Sequence, residues 1–225
     1  MRRVDGPVPS PLTRIARLLW IAGGAIALLA AIALIAGVEA RSWRLARQPF
    51  VMSLFRWHDG LLIVQCVLLI PYALLLSRIS VPGAAPLRLT AASLAVTSLL
   101  AIALLQALRF VDIGPDTLYM LPQGLLGVWL IMMSRRMRGH ISGVVSRIGV
   151  LAGVGLLMIA ASLLSIILYF GVGALSGPIR NPGPYAQAVN RIAHYNLRIG
   201  TYLGRLGLPI WVLWVGRRRL GVDPI

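Results

Sequence analysis

The chain contains no lysine: all 22 of its basic residues are arginine. Acids are scarce too, six in 225 positions, so the formal net charge is +16. Cys66 is the only cysteine, which excludes a disulfide framework or a cysteine zinc site within one chain. Nucleotide loops of the GxGxxG or GxxxxGK[ST] kind are absent, as is a helix-borne HExxH. No acid falls inside an apolar run, so a proton-relay carboxylate or an intramembrane aspartyl pair has no candidate. No nucleophile and base stand at a recognisable spacing. The sequence therefore assigns no catalytic residue, no metal and no cofactor.

What is abundant is apolar surface. Hydrophobic residues make up 58%, charged residues 12%, and the mean hydropathy is +0.83, values that a soluble domain of this size does not carry. About 20 residues of helix cross a hydrocarbon core of about 30 Å, and helices satisfy their own backbone there. Apolar runs predict spans over residues 18–38, 60–77, 89–108, 117–134, 148–171 and 198–216. The expected fold class is all-α: a polytopic membrane protein with a six-helix transmembrane bundle, residues 1–225 forming a single integral membrane domain. The first run is too long for a signal-peptide core, and GVEARSW after it is a poor cleavage site, so it reads as an uncleaved first helix.

The arginines are spread through the connections in small groups, as membrane flanks are, so a nucleic-acid partner is not indicated and the lipid bilayer is the expected one. Alternate loops carry 13 arginines on one side and eight on the other. The positive-inside rule then places both termini in the cytoplasm. Exclusive use of arginine suggests a GC-rich bacterial genome, hence a bacterial plasma membrane.

Two connections stand out. Residues 42–60 mix Trp43, Phe50, Met52, Phe55 and Trp57 with arginines, as an interfacial helix does. Residues 176–185, SGPIRNPGPY, read as a proline-rich turn. Helix 5 carries Gly149, Gly153 and Ala161 at multiples of four, a small-residue strip for close helix approach, which leaves room for a helix-mediated oligomer or a partner membrane protein. On helix 2, His58, Gln65 and Tyr72 recur by sevens, and Pro71 should bend the helix beside Tyr72. Gln65, Gln106 and Gln123 are expected to turn inward and bond to neighbouring helices. His58 and His194 share the outer side, but no ligand set accompanies them.

The sharpest feature is NRIAHYNLRIGTYLGRLGLPIW, residues 190–211, which sets an arginine inside the last span. At 100° per residue Arg191, His194, Arg198, Thr201 and Arg205 share one sector, while Gly200, Gly204 and Gly207 lie opposite. Arg205 is 11 residues before Gly216, about 16 Å into the bilayer at 1.5 Å per residue. Pro209 cannot donate the hydrogen bond that the Arg205 carbonyl would accept, so a kink is expected there. Two readings compete. In one, the stripe is an interfacial anchor and Arg205 snorkels outward. In the other, an outward-facing polar cavity holds an anionic headgroup or small anion against Arg198 and Arg205, with Thr201, Gln65 and Tyr72 adding hydrogen bonds; an anionic lipid is then a candidate partner.

Pro122, Gly124, Gly127 and Trp129, followed by the glycine-rich segment 148–157 and by Pro209, Trp211, Gly216 and Arg217, resemble a loosely defined group of uncharacterised six-helix bacterial integral membrane proteins. The likeness covers the C-terminal half and implies a fold rather than an activity. Three function classes stay open, in order: a non-enzymatic accessory or lipid-interacting membrane protein; a small transporter or binder of an anionic molecule; and an intramembrane enzyme.

Overall fold

The computed structural model describes residues 11–42, 48–79, 85–111, 118–171 and 183–217. Among them all regular structure is helical: α1 (Pro11–Ser42), α2 (Gln48–Ile79), α3 (Ala85–Phe110), α4 (Met120–Arg136), α5 (Gly143–Phe170), α6 (Pro184–Gly200) and α7 (Gly207–Arg217). A π turn, Thr201–Leu206, joins α6 to α7 in one rod, and a single 3-10 turn, Met137–Gly139, follows α4. The local signals are ordinary ones. Ser142 caps α5 by accepting from the Val145 amide, Gly171 ends it with φ +77°, and Pro184 opens α6 just after Gly183.

Four of these helices are long and apolar enough to cross a membrane: Pro11–Arg41, Pro49–Ser77, Arg88–Phe110 and Gly143–Phe170. Each helix packs mainly on its neighbours in the chain, and α7 returns to α1, so the helices form a closed ring. Arg17 fastens the closure. Its Nε donates to the Gly216 carbonyl and a terminal nitrogen donates to the Arg217 carbonyl at 2.8 Å, a cation at the C-terminus of α7. One turn away Trp20 Nε1 donates to the Val212 carbonyl at 2.8 Å.

The ring is apolar outside and mixed inside. Leu18, Ile32, Val67, Leu104, Val128 and Leu168 are exposed, whereas His58, Asp59, Gln65, Gln106, Gln123 and Arg205 are buried. That arrangement suits a lipid solvent, in which polar side chains turn inward. The part of the ring near the start of α1 and the end of α7 is filled by aromatic rings. Trp20 lies 5.1 Å from Tyr72 and 6.1 Å from Trp211, and Trp129 lies 6.1 Å from Trp211, centroid to centroid.

Several boundaries differ from the apolar runs. Residues 48–59 are no separate interfacial helix: α2 runs unbroken from Gln48, because neither proline nor glycine interrupts residues 50–59, and it continues through Pro71. Asp59 therefore sits inside a candidate span, against the expectation that none holds an acid. α5 begins at Gly143, and the last rod begins at Pro184, so Pro184 and Tyr185 belong to a helix rather than to the turn; residues 176–182 lie outside the described residues. The glycines of α5 serve two partners. Gly149 and Gly153 face α4, at Ser134, Ile131 and Gly127, while Gly155 receives Gly200 and Gly204 of the last rod. A Cβ on Gly200 would stand 2.7 Å from the Gly155 carbonyl oxygen, and one on Gly204 would stand 2.9 Å from the Leu156 nitrogen, so only glycine permits this crossing.

Candidate functional site

α6 has three faces. Ala186, Ala193 and Gly200, seven apart, are buried, and the seam they begin continues through Gly204 and Gly207 against α5. Tyr185, Ile192 and Ile199 are exposed, an apolar surface suited to lipid. The third face, Gln187, Asn190, Arg191, His194, Arg198 and Thr201, lines a cavity of about 790 Å³ that Arg205 also lines. The opposing walls are Leu34, Ile35 and Val38 of α1, Tyr119 and Met120 at the head of α4, and Ile159 of α5. A volume of this size is within the range of small-molecule sites, roughly 300–1,000 Å³.

Arg205 differs from the rest of its stripe. Arg191, His194 and Arg198 are exposed, but Arg205 is only 8% exposed. Its guanidinium carbon lies 5.7 Å from the centroid of Tyr119, a cation–π contact in a desolvated setting. Among the described residues no carboxylate forms an ion pair with it, and its Nε has no hydrogen-bond partner. Asp59, Cys66 and His58 are within electrostatic range. The backbone departs from α geometry at this residue: the π turn Thr201–Leu206 contains it, and Pro209, four residues on, lacks the amide that would bond its carbonyl. The expected local irregularity thus takes the form of a widened turn.

Tyr119 is shared. Arg109 also stands 5.7 Å from its centroid, and Arg109 is in turn paired with Asp59 at 3.0 Å. His58 beside it bonds the Ala30 carbonyl through Nδ1 at 2.9 Å, so Nδ1 carries the proton, and Nε2 has no partner among the described residues. Among the described residues the cluster therefore brings together Arg109, Arg205 and Asp59, and no carboxylate pairs directly with Arg205.

At the rim Arg198 donates to Glu39 Oε1 at 3.1 Å, and the Tyr202 hydroxyl donates to the same oxygen. Arg198 thus already pairs with a carboxylate of the chain, which ties α6 to the end of α1. The other proposed contributors are not brought in. Gln65 and Tyr72 are buried but are not among the lining residues; Tyr72 packs on Trp20, because seven-residue spacing puts it two turns from Gln65 and four from His58. Gln106 and Gln123 are buried as expected, yet their amide atoms have no partner among the described residues.

Asp59, Arg109, Tyr119, Glu39 and Tyr202 escaped the sequence reading. The signal for the first pair was present in principle: an acid and an arginine near the same end of consecutive apolar runs, which the antiparallel packing of α2 and α3 brings into register. Chemically the site offers donors and a fixed positive charge, suited to holding a carboxylate or phosphate oxygen. Among the described residues no group of three or more His, Cys, Asp or Glu side chains could hold a metal ion. No family model, curated protein or solved structure significantly matches the chain.

Proposed function

We propose that this chain is a non-enzymatic, six-span protein of a bacterial plasma membrane, both termini cytoplasmic, that binds the anionic group of an amphiphile in its cavity. The observation that carries the reading is Arg205: buried, unpaired by any carboxylate among the described residues, and forming part of a cavity whose other walls are mostly apolar. An acyl chain or another apolar body suits Leu34, Ile35, Val38 and Ile159, while a planar guanidinium fork suits the head. The six-span count rests on the four long apolar helices together with α4 and the α6–α7 rod, which complete the same ring. α4, at 17 residues, is about 25 Å long and needs its flanking turn to reach across. Orientation rests on the arginine bias, 13 against eight. Membership of the six-helix bacterial group that the C-terminal half resembles is proposed on the same footing.

The test is binding of dodecyl phosphate and, separately, of inorganic phosphate to purified parent protein and to its Arg205→Lys and Arg205→Leu variants. Saturable binding of the amphiphile, weakened tenfold or more by Arg205→Lys, is the expected result. Binding of inorganic phosphate with equal strength would assign the site to a free anion instead. Binding of neither above the level of Arg205→Leu would reject the site.

A further inference from the structure

The cavity stops at Arg205 and Tyr119, but unsatisfied polar atoms continue inward. Gln106 is one turn before Arg109 on α3, and Gln123 is one turn after Tyr119 on α4. Since Arg109 and Tyr119 meet, the two glutamines form the next tier down. Gln106 is fully buried and Gln123 1% exposed, and both atoms of both amides lack a partner among the described residues. Eleven residues further along α4, about 16 Å deeper, the Ser134 hydroxyl and Trp211 Nε1 also lack a partner among the described residues, and both converge on Gly149, where a Cβ would collide with each. Trp211 belongs to the aromatic cluster that fills this end of the ring.

Four amide atoms, an imidazole nitrogen, an indole N–H and a hydroxyl are many to leave unpaired in a bundle with an apolar exterior. An unpartnered buried amide atom is destabilising, and buried polar groups almost always find protein or water. A dead-end binding site needs only Arg205 and the atoms beside it. We infer that the cavity, when no amphiphile fills it, admits a small anion more weakly and is the outer half of a hydrated permeation path for that anion. Gln106 and Gln123 form its second tier, and the cluster of Trp20, Tyr72, Trp129 and Trp211 is its inner gate. The cation at the first tier selects the sign of the permeant, and the amides below replace part of its hydration without holding it by charge, as passage requires. This goes beyond binding at Arg205 and can fail independently of it.

The experiment measures thiol modification from outside sealed vesicles in a Cys66→Ala background. Cysteine replaces Gln123, Gln106, Ser134 or, as a lipid-facing control, Leu104. The probes are the anionic sulfonatoethyl and cationic trimethylammonioethyl methanethiosulfonates. The path requires that Gln123→Cys and Gln106→Cys react well above Leu104→Cys, at least tenfold faster with the anionic reagent, and that Arg205→Gln abolish this preference. Ser134→Cys should react only from the opposite face. Reaction at the two glutamine positions no faster than at Leu104, or without regard to reagent charge, overturns the path. If amphiphile binding persists alongside that result, the cavity is a closed site.

Hydroxyl-radical footprinting of the unmodified protein supplies a readout that needs no variant. Trp20 and Trp211 are both fully buried, but Trp20 Nε1 donates to the Val212 carbonyl while Trp211 Nε1 has no partner among the described residues. Internal water should label Trp211 several-fold faster than Trp20, and equal labelling would also overturn the path.

Discussion

Arg205→Leu should change the melting temperature in opposite directions with and without a bound anion. Without one, the substitution removes a charge whose placement in the middle of a membrane helix costs about 3 kcal/mol or more. It also forfeits the contact with Tyr119, about 2 kcal/mol where both groups are desolvated. No carboxylate is orphaned, because Asp59 keeps Arg109. The net gain of about 1 kcal/mol corresponds to a rise of about 2–4 °C for a chain of this size. With dodecyl phosphate at 100 times its dissociation constant, the parent alone gains about 2.7 kcal/mol. The same conversion makes this a rise of about 5–11 °C, so the order of the two proteins inverts. Arg205→Lys keeps the charge but loses the fork, so it should respond to the ligand with a smaller shift than the parent. Thermal unfolding in mild detergent, followed by tryptophan fluorescence, measures all three. Should the Leu variant melt several degrees below the parent without ligand, and both gain equally with it, Arg205 is a structural cation and not a ligand.

Three further outcomes follow from the packing and the charge pattern. Gly204→Leu should lower stability by about 1–3 kcal/mol, since even its Cβ meets the α5 backbone, whereas Leu203→Ala on the half-exposed neighbour should cost less; equal melting temperatures for Gly204→Leu and the parent would separate the two helices. Asp59→Ala should destabilise by about 3 kcal/mol by removing a carboxylate partner of Arg109, and Asp59→Ala with Arg109→Leu should recover part of that loss; a double variant no better than the single one would mean that the pair does not act as a unit. Reporter fusions after residues 80, 140 and 225 should read cytoplasmic and those near 45, 114 and 183 external, and a consistent reversal would invert the site to the other face.

The stripe was legible because it lies on one helix. Once residues 190–205 are helical, 100° per residue decides which side chains share a face, and Arg191, His194, Arg198, Thr201 and Arg205 line one cavity. The glycine face was legible for the same reason, although not its partner, Gly155, because α5 carries glycines on two faces. What periodicity cannot supply is the level at which one helix meets another. Gln65 and Tyr72 fell outside the cavity on that account, and Asp59, Arg109 and Tyr119 entered the cluster on that account. Hydropathy also misplaces helix ends that leave the apolar zone. α2 and α6 both extend beyond their apolar runs through polar sequence, so Asp59 is expected in a connection and the start of α6, at Pro184 and Tyr185, in the proline-rich turn.

The two arginines of the cluster pose the same problem and meet it differently. Arg109 has Asp59 as a carboxylate partner, and removing one member of such a pair costs more than removing both. Arg205 has an aromatic face and a widened helical turn, which reduce its cost without cancelling its charge. If stability were the only requirement, an aliphatic side chain at this position would serve better, since the seam of Gly200, Gly204 and Gly207 already secures the rod to α5. Glu39 shows that the chain can bring a carboxylate to this helix, yet it does so at Arg198, a turn or two nearer the rim. Neutralising the exposed arginine while leaving the buried one open makes the deep position the stronger attractor for an incoming anion. On the proposed reading, an anion filling the cavity offsets the remaining cost of keeping Arg205 charged.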